Sequence, residues 1–258
     1  MEFAPSVEEL ESHFVSKYGP LSETGWGPRL RHRFGYFTPD ATTRFSSINW
    51  SFPAVGGSIS ARAGTYSRAI RSWPESFPLE RIFFVGVDPD DTIHENEFVH
   101  RKAQARIEEF ETSDRFDLVT LRMVAEHMDR PEDSARSIAT LLRAGGKAVV
   151  YTVNKWAPAS IVSSLVPFRL HHVFKRVLWG TDEKDTFPVA YKLNTRRALR
   201  SVFGRQGLEE VIFRRLDDCR STGNYKMLQY VELTMRGAMS AVRLRYPENC
   251  LLGVYEKR

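Results

Sequence analysis

The stretch Phe83-Phe84-Val85-Gly86-Val87-Asp88-Pro89-Asp90 decides the fold. Residues 82–87 form an unbroken apolar run, the pattern of a strand buried on both faces of a parallel sheet, and Asp88-Pro89-Asp90 ends it with turn formers. Working outward, 116–121 of FDLVTLRMVAEHM (116–128) reads as a strand, with 104–107 a shorter one between them. Pro131, followed by Glu132 and Asp133, begins a helix with Ile138, Leu141 and Leu142 on one face, and Gly145-Gly146 is expected to terminate it. Residues 147–153 then return as a strand. Strand, helix, strand in this order argues for a parallel sheet with right-handed crossovers.

The flanks are less regular. Ser6 and Glu9 have capping-box spacing, opening a helix that runs to about Tyr18 and stops at Gly19-Pro20. From 38 to 81 the chain is rich in Ser, Arg and Gly with no sustained period, and no element is assigned there. Residues 157–179 are apolar and aromatic with Arg169, His171, His172, Lys175 and Arg176 interleaved, and Pro167 is expected to kink or divide the segment. Asn194 or Thr195 caps a basic helix to about Arg205. A strand over 208–216, helical spacing over 225–242 and an apolar strand over 250–255 complete the pattern, with a reversed hairpin expected at the end.

A chain of 258 residues with 42% hydrophobic content accommodates one large domain. We read 1–258 as one domain, with 1–40 a helical brace, 41–81 an atypical segment and 155–195 a cap-like insertion. Lysine and arginine outnumber the acids by 37 to 32, for a net charge of +5, and the excess gathers in 169–176 and 196–215. No specific nucleic-acid partner is indicated by this pattern, while peripheral membrane contact stays open. Cys219 and Cys250 lie far apart with no zinc spacing, so neither a disulfide framework nor a metal site is expected, and a reduced, cytoplasmic setting is the simplest reading. The pattern sets no oligomeric state.

VGVDPD (85–90), FDLVTLRMVAEHM (116–128), PEDSARSIATLLRAGGKAVVYTVN (131–154) and CLLGVYE (250–256) together resemble class I S-adenosylmethionine-dependent methyltransferases of the small-molecule type. The resemblance covers 82–154 well and 194–256 more loosely. It implies an α/β, Rossmann-like fold with a mostly parallel seven-stranded sheet, flanking helices and S-adenosyl-L-methionine at the carboxyl ends of the first strands. By the same resemblance Asp88 binds the two ribose hydroxyls, Ile107 and Glu108 lie beside adenine, and Leu121 and Arg122 face the methionine end. A carboxylate has two acceptor oxygens and is suited to a pair of hydroxyls; the competing reading of Asp88 is a cap on the following turn. His127 is the titratable ring of these motifs and fits a loop brace better than a base. No catalytic residue is named, because transfer from a sulfonium is chiefly a matter of alignment.

The family pattern also has an acid and two glycines after the first strand, where glycine leaves no Cβ between backbone and cofactor. Upstream of Phe83 the chain offers PAVGGSISARAG (53–64), with no acid before its glycines, and the first strand and loop are therefore in question. The genetic code permits another text here: codons behind 41–77, read from the third base of the Ala41 codon, allow DYEVLVDQLVVPGSRWLDIG followed by a GRDIFPSNPELAREL segment. On that reading 41–81 is a frame-shifted replacement and cofactor binding is weak.

Methyl transfer to a small molecule is the leading functional expectation, with Trp156, Phe168, Trp179, Phe187 and Tyr191 of the cap-like segment lining the acceptor pocket. Two others compete with it. One is a membrane-surface role for PASIVSSLVPFRLHHVFKRVLW (158–179); the other is an inactive scaffold that keeps the fold without the cofactor.

Overall fold

The computed structural model describes residues 7–37, 58–61, 83–97, 99–165, 190–216, 222 and 225–258. In chain order, helices α1 (Val7–Tyr18) and α2 (Trp26–Arg33) precede strands β1 (Ser58–Ala61), β2 (Phe84–Asp88), β3 (Arg101–Gln104) and β4 (Phe116–Arg122). Helix α3 (Pro131–Leu141), strand β5 (Leu142–Val153), helices α4 (Pro158–Leu165) and α5 (Arg196–Gly204), strand β6 (Leu208–Leu216), helix α6 (Lys226–Ala241) and strand β7 (Cys250–Lys257) follow.

All seven strands join one sheet in the order β3-β2-β1-β4-β5-β7-β6. The first five are mutually parallel, and β7 runs antiparallel to both β5 and β6. The mostly parallel sheet and the reversed final hairpin agree with the sequence pattern. So does the unbroken apolarity of the strands: Val119, Leu121, Ala148, Val150, Leu251 and Tyr255 face one core cluster, and Leu118, Val149, Tyr151, Leu252 and Val254 face a second. Alternate residues enter opposite cores, so every second position must also be apolar.

Three expectations need correction. The region 38–81 was assigned no element, yet Ser58–Ala61 is a central strand, bonded to β2 on one side and β4 on the other. A four-residue strand with a ladder on both sides is held by its backbone and needs no apolar signature, so the first strand in question is present. The expected strand at 104–107 is β3 at Arg101–Gln104, where the mostly polar RKAQ of an edge strand, exposed at three of four positions, hid the signal.

The third correction concerns Gly145-Gly146, which do not end α3. The helix stops at Leu141 and the chain enters β5 directly at Leu142, while Lys257 from the last strand donates its ammonium to the Ala139 and Leu142 carbonyls at 2.6 and 2.8 Å. That ammonium satisfies carbonyls left over at the helix end. Gly146 instead serves the register shift between Phe116 and Leu118, because a Cβ there would lie 2.9 Å from the Arg143 oxygen and 3.0 Å from that of Phe116.

Helix α2 lies within the 1–40 brace at a place that the pattern does not mark, since WGPRLRHR carries few apolar residues. The other elements fall where the pattern put them: α1 ends at Tyr18 before Gly19 at φ +76°, and Thr195 caps α5 by accepting the Ala198 N–H at 3.1 Å. The readings of 166–189, including Pro167 and the basic positions 169–176, lie outside the described residues.

Candidate functional site

Five parallel strands end along one edge, and their registers align the residues there. Ala61, the last residue of β1, stands opposite Val87 of β2 and Leu121 of β4. Asp88 and Arg122, each one residue further on, therefore flank the end of β1 from its two sides. Asp88 pairs in turn with Gln104 and Arg122 with Tyr151. This edge holds the topological switch point: the chain leaves β1 toward β2 and β3, then returns on the other side to β4, the place where open α/β sheets bind ligands.

Asp88 carries the turn that follows it. Its Oδ1 accepts the Asp90 N–H at 2.9 Å, and Asp90 Oδ1 accepts the Thr92 N–H at 2.9 Å to cap a 3-10 turn over Asp91–Glu95. The turn-capping alternative is thus realised through Oδ1. Ile93 folds the turn back so tightly that a Cβ on Gly86 would lie 2.7 Å from its Cδ1.

The remaining residues read from the sequence divide between core and edge. Ile107 and Leu121 are buried within the main core cluster, so their side chains pack inward. Glu108 is half-buried in the turn after β3, closed by the Glu109 N–H on the Arg106 carbonyl at 3.0 Å. Arg122 is half-buried at the edge. Arg106 reaches across to Asp129, Nη1 to Oδ1 at 3.1 Å; desolvation opposes the charged form of Asp129, but the charges of Arg106 and Arg130 and a backbone hydrogen bond outweigh it and hold the carboxyl below its ordinary range.

A buried polar network sits beside this edge, and it went unread in the sequence. Met123 turns the chain at φ +54°, its N–H on the Tyr151 carbonyl at 2.7 Å, and carries a 3-10 turn over Ala125–His127 across the end of β5. Glu126, only 4% exposed, accepts the Thr152 hydroxyl at 2.8 Å, while Asn194 donates to Thr152 Oγ1 at 2.9 Å and to the Val153 carbonyl at 2.8 Å. The Glu126 carbonyl also accepts the Ala190 N–H at 2.7 Å. Burial raises the Tyr191 phenol above its ordinary range; a hydrogen bond with Ser160 opposes the shift and the Glu126 charge adds to it. His127 drew attention as the ring of the motif, whereas the acid beside it makes the buried contact. An acid between the apolar Ala125 and the ring of His127 was the available signal.

Of the aromatics expected to line an acceptor pocket, Trp156 is 60% exposed and Tyr191 is half-buried with φ +50°; Phe168, Trp179 and Phe187 lie outside the described residues. Cys250 is a buried free thiol. No metal-binding group of His, Cys, Asp or Glu occurs among the described residues, and no helix among them is long and apolar enough to cross a membrane.

The family model of a methyltransferase domain matches residues 61–212, more than half of the chain. The chain belongs to the methyltransferase domain family. By family it is an S-adenosylmethionine-dependent methyltransferase. Among solved structures, a chain of the complex between the Haloferax volcanii Trm112 methyltransferase activator and a methyltransferase aligns with TM-score 0.53 and 12% identity, covering 94% of this chain and 96% of that one. The N-methyltransferase NodS of Bradyrhizobium japonicum WM9, solved with S-adenosylhomocysteine, aligns at 0.46 and 13%, covering 97% of each chain. The 1,6-didemethyltoxoflavin-N1-methyltransferase of Burkholderia thailandensis aligns at 0.48 and 15%, covering 100% of this methyltransferase and 92% of that chain. No curated protein matches the sequence significantly.

Proposed function

We propose that this methyltransferase methylates a small-molecule acceptor held beyond the carboxyl ends of β4 and β5, with Asp88, Ile107, Glu108, Leu121 and Arg122 forming the described part of the cofactor site. One observation carries the reading: Asp88 and Arg122 flank the end of β1 at the switch point of the sheet. The cofactor supplies an electrophilic methyl group. The donor set suits it, since a carboxylate at the tip of β2 takes hydroxyl donors and the buried Ile107 gives an apolar floor beside the turn after β3.

The chain's own residues bind and orient. Asp88 fixes the sugar, its direction set by the Asp90 N–H on its Oδ1. The main chain of Leu121 and the side chain of Arg122 meet the amino-acid end, and the Glu126–Thr152–Asn194 network holds the segment after β4 against β5. No proton transfer is assigned to a side chain, because alignment dominates this chemistry.

Calorimetric titration with S-adenosylhomocysteine tests the reading. Asp88→Asn keeps the turn contact but removes the charge, and is expected to weaken binding about tenfold or more, as for a lost charge-assisted hydrogen bond. Equal affinity in the variant would remove Asp88 from the site. No binding by the parent chain would favour the inactive scaffold instead.

A further inference from the structure

Four arginines without carboxylate partners among the described residues converge on one cleft. It is open, about 900 Å³, and lies where β5 ends and β7 begins. Arg197 and Arg200 come from the first turns of α5, Arg215 from the penultimate position of β6, and Arg245 from the segment before β7. A fifth, Arg196, is already bound by Glu210, with Nη2 to Oε1 at 2.6 Å. The described lining residues include no acid.

Arg245 and Arg196 stand close enough to Arg215 to act on its charge. Desolvation first, and then the charges of Arg245 and Arg196, push the Arg215 guanidinium below its ordinary range. Like charges held around one opening are an unfavourable arrangement that an anion relieves. Guanidinium groups suit tetrahedral oxyanions because their planar forks donate paired hydrogen bonds. A phosphoryl group occupies only a fraction of this volume, which falls in the range of small-molecule sites. Trp156, 60% exposed, supplies ring surface for what remains.

We infer that the cleft binds a phosphorylated small molecule, its phosphoryl oxygens on Arg197, Arg200, Arg215 and Arg245 and its organic body along Trp156. Because the cleft includes Asn154, directly after β5, a ligand anchored there extends along the same edge that bears Arg122 and Asp88. The molecule is then the methyl acceptor, a role that rests on the function proposed above; the anion site itself does not. Among the described residues these charges gather at one cleft, which favours a small ligand over a nucleic-acid strand.

The test titrates the full chain with phenyl phosphate and inorganic phosphate, and the same samples with S-adenosylhomocysteine. All four arginines are exposed, so Arg200→Gln with Arg245→Gln should leave the melting curve unchanged. Saturable phenyl phosphate binding, tighter than that of inorganic phosphate and weakened at least about tenfold in the double variant, is expected. Unchanged affinity in that variant, or no saturation by the parent chain, overturns the inference. So does arginine-dependent capture of single-stranded RNA or phosphatidate vesicles at physiological salt by a chain that ignores phenyl phosphate. Phenyl phosphate binding without S-adenosylhomocysteine binding keeps the anion site and removes the acceptor role; the reverse removes the site alone.

Discussion

Thr152 and Glu126, twenty-six residues apart, meet through a 2.8 Å hydrogen bond buried at the ends of β4 and β5. The hydroxyl donates to the carboxylate and accepts from Asn194 Nδ2, so one small side chain joins three segments. Thr152→Val keeps the shape and deletes both bonds, leaving a buried carboxylate and a buried amide each short of a partner. A stability loss of about 1–3 kcal/mol is expected from the stranded groups, read as a lower urea midpoint at unchanged slope. A variant as stable as the parent would mean that the network contributes nothing net.

Arg236 presents a second buried arrangement of a different kind. It is 8% exposed, bridges Glu232 at 2.9 Å and Glu248 at 2.8 Å, and lies over the rings of Tyr36 and Tyr246 at 4.8 and 3.8 Å. Arg236→Ala leaves the two acids without their cation and the rings without their packing. A cost of about 3–5 kcal/mol follows from breaking such a pair from one side. Chemical denaturation checks it, and a loss under about 1 kcal/mol would show the pair to be effectively solvated.

Helix α6 shows where sequence pattern misleads. Its helical spacing was legible in Leu228, Val231, Leu233 and Met235, yet only Leu233 of these is buried; Gln229, Glu232 and Arg236 share its inward face. A buried ion pair inverts the usual amphipathic signal, because the polar residues point in once they satisfy one another. The parallel strands behaved oppositely. Burial on both faces leaves a continuous apolar word such as 84–87, with Asp88 at its end, beside the end of β1. Leu121 lies within β4 and Ile107 in the turn after β3, and both side chains serve the core. The arginine cleft was invisible as a site, since its members come from three distant elements and only the fold gathers them.

Tyr255 offers a titration with a defined sign. Its phenol is buried without a hydrogen-bond partner among the described residues, and burial, reinforced by Glu210 and opposed by Arg196, pushes its proton loss above the ordinary tyrosine range. The folded state thus keeps a proton that the unfolded chain releases near pH 10. Stability is fully present below that value and falls as pH rises through and beyond it. Tyr255→Phe preserves the ring that stacks on Phe203 at 4.7 Å and removes the titrating group. Equal or higher stability at pH 7, with a smaller alkaline loss in melts across pH 9–11, is expected; a destabilised Phe variant would reveal an unrecognised partner for the hydroxyl.

Gly253 lies under the same ring. A Cβ there would come within 2.6 Å of Tyr255 Cε2 and 2.9 Å of its Cζ, and the fully buried ring has no room to retreat. Gly253→Ala is therefore expected to cost about 1–3 kcal/mol as an overpacked strand. Combining it with Tyr255→Leu should recover most of that loss if the ring is the obstacle. Thermal unfolding of the two single variants and the double variant decides it through their non-additivity.

The segment after β1 carries the remaining question. The strand itself is in place, bonded on both sides, but the residues that follow it read Arg62-Ala63-Gly64 and contain one glycine where close backbone approach to a cofactor favours two. We propose that 41–77 is the shifted-frame counterpart of a text containing WLDIGxG. A chain in which that text replaces 41–77 is then expected to bind S-adenosylhomocysteine at least about tenfold more tightly than the parent, the gain of one charge-assisted contact or more. Arg62→Gly, which restores the glycine spacing alone, should recover only part of it, because the acid before the loop is still missing. Equal affinity in all three chains would show that the existing loop suffices, and coding DNA whose codons cannot yield the shifted text would remove the frame explanation independently.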